Sequence, residues 1–240
     1  MKIAEFDIEV ERKAIKNVHL AVYPPDAKVH ISVPESMKDD DVSMFLYSKL
    51  SWIRGYYEQV KGQERQSNRE YVTGENHYLL GNRLLLKVCP TREKAHVTTT
   101  ASYMELHING NATTDRRRSV VYDFYRAELN AVLERMVAKW AEAMGENLST
   151  FKWSILHMDA AWGKCSTQKR SINFNLLLAR VPMRCIEYIV VHEMIHLKVH
   201  GHDKVFAMYL NKHLPDWQLR KKELDEFVAL PLREEKSCNR

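Results

Sequence analysis

Glycine and proline are sparse in this chain, eight and seven among 240 residues, and cysteine is sparser still at four. Cys89, Cys165, Cys185 and Cys238 lie far apart, and no Cys-x-x-Cys pair occurs. That spacing argues against a zinc knuckle, and in a reducing compartment free thiols are expected. Long apolar runs are missing too: none approaches the ~20 residues that cross a bilayer as a helix. The N-terminus, Met1-Lys2-Ile3-Ala4-Glu5-Phe6-Asp7, is charged and alternating and lacks the apolar centre of a signal peptide. The expected location is the cytoplasm, with no membrane partner. Nor does one sign of charge dominate: 36 basic and 31 acidic residues leave +5. So mild a charge permits an anionic substrate or nucleic acid without arguing for either. The one tight basic run, Arg116-Arg117-Arg118, reads as a solvated helix start. There is no internal repeat and no low-complexity stretch.

What is present suits a folded domain. The apolar fraction is 45%, enough for a sizeable core. Ile3 to Val10, Val18 to Tyr23 and Val29 to Val33 alternate as strands, with a turn at Pro24-Pro25-Asp26. They are expected as an antiparallel meander. Asp39 to Lys61 reads as one helix, with Asp39, Asp40 and Asp41 capping it, and Gly62 to Asn68 as a loop. A hairpin follows, turning at Gly81-Asn82, then strands at His96–Thr100 and Tyr103–Ile108. From Thr114 to Met144 the period becomes helical, ended by Gly145. Strands at Phe151–Met158 and Arg170–Asn175 come next, and two helices, Lys204–His213 and Asp216–Phe227, close the chain. The change of pattern divides it into a β-rich part with one helix, 1–112, and a metal-binding catalytic part, 113–240.

The chemistry concentrates in Val190-Val191-His192-Glu193-Met194-Ile195-His196, which holds His-Glu-x-x-His. On a helix, residues four apart share a face one turn above each other. Two imidazoles so placed can hold one zinc and leave room for a third ligand and a water. Glu193 reaches that water rather than the metal. The flanks are apolar, with Ile186, Ile189, Val190, Met194 and Leu197 at helical spacing and no Gly or Pro from Met183 to His200. A buried stripe of imidazoles and a carboxylate needs partners, and zinc supplies them. A chance match on an ordinary helix is the competing account. For the third ligand the candidates are His200 and His202. A continuing helix would leave His200 roughly 9 Å along the axis from the ion, too far to bind it. The chain must turn back, a left-handed Gly201 is expected to do it, and His202 is the expected ligand.

Further motifs surround this one. The order is a long helix, a strand, Trp162-Gly163-Lys164-Cys165-Ser166, then Ile172-x-x-Asn175, Tyr188 before His192, and Phe206 and Pro215 after His202. This order resembles the YgjP-like metallopeptidase family, relatives of the SprT and WLM groups. The match from Phe151 to Leu224 combines several spaced motifs, and the N-terminal match is looser. Ala161, Lys164 and Ala207 depart from the family pattern. The resemblance implies an α+β fold: a zincin-like core of active-site helix, backing helix and small sheet, with a β-rich N-terminal part. It also implies three histidine ligands, His192, His196 and His202, and a zinc-dependent hydrolase.

Three readings of activity follow. A metallopeptidase would use zinc-activated water, with Glu193 as general base, on a peptide or protein substrate. A metal-dependent nucleoside-triphosphate pyrophosphatase, a UTP-directed label attached to the family name, would use the same apparatus on a nucleotide. A non-catalytic module would use zinc for structure alone, and would have no need of Glu193. Candidate substrate contacts are Trp162, Gly163, Lys164, Asn175 and Tyr209, with His213 beside Tyr209 as a further oxyanion stabiliser. Trp162 and Cys165 each have a plain core reading as well. Lys164, Lys169, Arg170, Arg180 and Arg184 add positive charge that would suit an anionic substrate.

Overall fold

The computed structural model describes residues 1–15, 17–23, 27–62, 69–158, 161–227 and 232–233. The expected turn at Pro24-Pro25-Asp26 and the loop over 63–68 lie outside these residues. The architecture is mixed α and β, with six helices and three small sheets among the described residues. No described helix is long and apolar enough to cross a membrane. The chain divides into two compact units, Met1–Asn68 with Ala229–Arg240, and Arg69–Val228.

The first unit contains strands β1 (Lys2–Ile3), β2 (Phe6–Lys13), β3 (His19–Tyr23) and β4 (Lys28–Pro34), and helices α1 (Asp39–Ser48) and α2 (Leu50–Gly62). Its sheet order is β1-β2-β4-β3, with a short strand, Leu232–Arg233, on the far edge of β3. The expected meander is not formed. β4 lies between β2 and β3, parallel to β2 and antiparallel to β3. Alternation puts Ile8, Val29, Ile31, Leu20 and Val22 in the core, but it dictates which face a residue takes and not which strand it pairs with. The chain between β2 and β4, which includes β3, is long enough to serve as the crossover that a parallel pair needs. The expected single helix is two, parted at Lys49 (φ −103°). The N-cap of α1 is Lys38, without a side-chain cap. Asp39, Asp40 and Asp41 instead occupy the first turn, where their charge favours the helix dipole.

The second unit opens with β5 (Asn76–Leu79), β6 (Asn82–Pro90), β7 (His96–Thr99) and β8 (Tyr103–Ile108), in order β5-β6-β8-β7. Helix α3 (Thr114–Met144) begins at Thr113, whose hydroxyl accepts from Arg116 N–H, and ends at Gly145 in the left-handed region (φ 66°). Val121, Tyr125, Leu129, Leu133 and Val137 on α3 share one core with Leu84, Leu86, Met104, Leu106 and Ile108 of this sheet. The expected boundary after residue 112 therefore falls inside one core. The change from strand to helix there marks two layers covering each other, not two domains.

A second small sheet follows, β9 (Lys152–Leu156), β10 (Gly163–Ser166) and β11 (Ser171–Asn175), in order β10-β11-β9. Then come a 3-10 turn, Leu176–Arg180, and helices α4 (Met183–Ile195), α5 (Lys204–His213) and α6 (Trp217–Glu226). The β5–β6 hairpin holds the start of α4. Its tip, Leu80 (φ 49°) and Gly81 (φ 89°), has the two left-handed residues of a tight hairpin turn. Leu80 and Gly81 N–H donate to the carbonyls of Ala179 (2.8 Å) and Arg180 (3.0 Å). A Cβ on Gly81 would lie 3.0 Å from Pro182 and at a left-handed φ, so a larger residue would be strained and would press on Pro182. Glu187 then ties α4 to its neighbours. Its carboxylate accepts from Lys139 (2.7 Å) and Trp140 Nε1 (3.1 Å) of α3 and from Arg220 (2.7 Å) of α6.

His77 of β5 is fully buried, its Nδ1 3.3 Å from the Tyr125 hydroxyl. Burial, then the charges of Arg69 and Arg180, push its pKa down to about 3. An unfolded histidine titrates near about 6.5, so between these values only the unfolded chain takes up this proton. The contribution of a neutral His77 is whole above about pH 6.5 and declines as pH falls towards about 3. Urea unfolding at a series of pH values tests this. Stability should fall less steeply below about pH 6.5 in His77→Gln than in wild type; equal slopes would mean that His77 is not held neutral.

Candidate metal centre

α4 is buried on nearly every side, through Cys185, Ile186, Ile189, Val190, Val191, Met194 and Ile195. Its last turn presents His192 and His196 together. The helix stops at Ile195, and Leu197, Lys198 and Val199 N–H tighten onto the carbonyls of Met194 and Ile195. The chain thus leaves the helix at His196, five residues before Gly201. Gly201 is not left-handed: the positive-φ glycines are Gly74, Gly81 and Gly145. The tightened last turn ends the helix, and bends at Gly201, His202 and Asp203 complete the reversal.

The reversal brings three imidazoles to one point. His202 Nε2 lies 3.0 Å from His192 Nε2 and 3.1 Å from His196 Nε2. Asp203 fixes this arrangement as the N-cap of α5, its carboxylate accepting from Val205 (2.9 Å) and Phe206 (3.0 Å) N–H. The Phe206 ring packs on all three imidazoles, with centroids 4.9, 4.8 and 4.7 Å from those of His192, His196 and His202. His196 Nδ1–H donates to the Val199 carbonyl (2.9 Å), which leaves the lone pair on Nε2. Burial, then the neighbouring imidazoles, lowers the pKa of His192 to about 3, so it too is neutral. Three ring nitrogens this close fit a tetrahedral ion with Zn–N bonds of about 2.1 Å, which sets nitrogens roughly 3.4 Å apart. His200 is elsewhere: its Nδ1 lies 3.1 Å from the Thr167 hydroxyl in the β10–β11 turn.

Glu193 points from α4 towards β10. A Cβ on Gly163 would lie 2.5 Å from Glu193 Cγ and 2.6 Å from its Oε1, so only glycine admits the carboxylate. Burial raises the pKa of Glu193 to about 8, and the Cys165 N–H that it accepts works the other way. The Cys165 thiol is pushed up to about 11 by burial and by Glu193, so it stays protonated. Tyr188 packs edge-on against His192 (5.8 Å) and stacks on Trp217 (6.3 Å).

β10 pairs with β11 alone among the described residues, so its other side is an edge. Asn175 N–H donates to the Trp162 carbonyl (2.8 Å), making these two a hydrogen-bonded pair. Antiparallel alternation then turns the backbone groups of Gly163 and Cys165 outwards, along the edge beside Glu193.

The other expected contacts divide differently. Gly163 is at the site, as the surface against which Glu193 lies. Trp162 is half-buried at the margin of the core. Lys164 alternates with Gly163 and Cys165, so its side chain takes the opposite, solvent face of β10. Asn175 is fully buried, and its amide is spent on the carbonyls of Met158 and Ala161 (both 2.7 Å) and the N–H of Leu177 (3.1 Å). It staples the chain before β10 and has no group left for a substrate. Tyr209 stacks on His213 (6.3 Å), which meets Trp140 edge-on (6.1 Å). Of the expected basic residues, Arg170 is bound to Glu146 (2.7 Å), and Arg184 is paired with Glu223. Phe206 and Asp203 were not expected in these roles. Asp203 before an apolar helical pattern is a legible cap; the place of Phe206 under three rings depends on the reversal before it.

A family model described as YgjP-like, metallopeptidase domain, matches residues 16–227. A search of curated proteins found no match.

The closeness of Gly163 to Glu193 yields a paired test. Gly163→Ala should lower stability in urea by about 1–3 kcal/mol through overpacking. Gly201→Ala, with nothing within 4 Å of the added Cβ, should change it little. Similar losses in both would show that Glu193 gives way freely.

Proposed function

Since the chain belongs to the YgjP-like metallopeptidase family, we propose that it is a zinc-dependent peptidase, with His192, His196 and His202 holding the ion and Glu193 as general base. When bound, zinc supplies Lewis acidity to a carbonyl oxygen and to a water. The protein's own groups do the rest. His196 is oriented by its hydrogen bond to Val199, and His202 by the Asp203 cap. Phe206 keeps water from one side of the three rings. Glu193 takes a proton from the attacking water and delivers it to the departing amide nitrogen. Burial favours the protonated acid, and the charge of a bound ion would favour the carboxylate that a base requires.

One observation carries the choice of a peptide: the outward edge of β10 runs beside Glu193. The outward N–H and C=O groups of Gly163 can pair with an extended peptide as an added strand, which sets a scissile bond near the base. A nucleotide would call for free positive charge around the site, whereas Arg170 and Arg184 are neutralised within the protein and Lys164 faces solvent. A purely structural zinc would not require a buried carboxylate facing a glycine.

Purified zinc-loaded protein should cleave an unfolded protein and leave a nucleotide panel intact. A chelator should abolish cleavage, and zinc should restore it. Glu193→Gln should retain one zinc at this site while cleavage drops by roughly two or more orders of magnitude. His202→Ala should weaken zinc binding by orders of magnitude, and His200→Ala should not. Loss of zinc in Glu193→Gln, or the reverse pattern in the two histidine variants, would overturn these assignments. Hydrolysis of nucleotides but not of protein would replace the substrate.

A further inference from the structure

The solvent face of the β5–β8 sheet bears a second group of metal-binding side chains. Parallel register sets Cys89 of β6 beside His107 of β8, and Lys87 beside Glu105. Antiparallel register sets His96 of β7 beside His107, and Thr98 beside Glu105. One row across three strands is therefore Cys89, His107, His96, and the next is Lys87, Glu105, Thr98. Leu86, Met104, Leu106 and Ile108 alternate with these residues and fill the core, so the group faces outwards.

Cys89 Sγ, a Glu105 oxygen and a His107 ring nitrogen all lie within 4.8 Å of one another. Bonds of about 2.3 Å to sulfur and 2.1 Å to nitrogen hold ligands roughly 3.5 Å apart, a gap that rotamer adjustment can close. Lys87 Nζ engages Glu105 Oε1 at 3.1 Å. The other oxygen, Oε2, is turned towards His107 Nε2 at 3.7 Å. The His96 ring stacks on His107 with centroids 4.6 Å apart. Its Nδ1–H donates to the Lys94 carbonyl (3.0 Å), which leaves the lone pair on Nε2. Thiol, imidazole and carboxylate together suit a borderline-soft divalent transition metal, not calcium or magnesium.

We propose that Cys89, Glu105 and His107 form a second transition-metal site, separate from the three histidines after α4, with His96 or water completing its shell. Binding forms an Sγ–metal bond and releases the thiol proton to solvent. The ion joins β6 to β8 across a parallel pairing, the weaker kind of ladder. It thereby steadies the sheet whose hairpin tip grips the start of α4. No short motif announces the site, because strand register alone brings residues 89, 105 and 107 together.

Cobalt distinguishes the two centres, since only a thiolate ligand gives near-ultraviolet sulfur-to-cobalt charge-transfer absorption. Metal-free full-length protein titrated with Co²⁺ should bind two equivalents, one of them producing this band. The band should disappear in Cys89→Ser with one equivalent lost, and should persist in Cys165→Ser and Cys238→Ser. It should also persist in His202→Ala, so failure of the peptidase reading would leave this result intact. Alkylation mapped by mass spectrometry needs no variant: Zn²⁺ should protect Cys89 in wild-type protein. Cleavage activity at saturating zinc should be unchanged in Cys89→Ser. Absence of the band in wild type, its survival in Cys89→Ser, or alkylation of Cys89 at the same rate with and without zinc would each overturn the proposal.

Discussion

A carboxylate held in apolar surroundings against a residue without a side chain is the constraint on which the second unit turns. Glu193 is 5% exposed, and its carboxylate lies where a Cβ on Gly163 would be. Burying an acid in this way is unfavourable, which is why its pKa rises. The surroundings must be rigid to hold it there. α4 is apolar on almost every side, β10 packs across it, and Asn175 staples the chain that leads into β10. Helix, strand and staple together hold the Glu193 carboxylate against β10, one residue along α4 from His192.

Rigidity at the other end of α4 comes from polar bonds. The Leu80-Gly81 turn donates two backbone hydrogen bonds to the segment before the helix, and Glu187 gathers donors from α3 and α6. These bonds fix the axial position and rotation of α4, which apolar burial alone leaves loose, because a helix apolar all round has no preferred face. The histidines at its far end inherit that placement.

What was legible in the chain depended on whether the cause was local. His192, Glu193 and His196 follow from helical period, and the C-terminal end of α3 from Gly145. His202 was legible because distance along a helix excluded His200. The conformation that delivers it was misjudged: Gly201 was expected to be left-handed, while the helix ends at Ile195 and the chain bends through Gly201 without a positive φ. The antiparallel β5–β6 hairpin was legible from its turn, but parallel pairing was not. Each of the three sheets places its hairpin so that the last strand lies parallel to an earlier one, β2 with β4, β6 with β8 and β9 with β11. Alternation is identical for a meander and for this arrangement. Asn175 was misjudged for a related reason, since a buried amide that closes a loop and one that greets a ligand look alike until their partners are known.

An open strand edge welcomes any extended chain, including another copy of itself. β10 is only four residues long, and its second residue is the exposed Lys164. Two such edges meeting antiparallel would bring their lysines together in a ladder too short to offset the repulsion. A guest strand without that charge meets no such obstacle. On the solvent side of β10, Lys164 thus discourages fibre-like stacking of the protein through this edge.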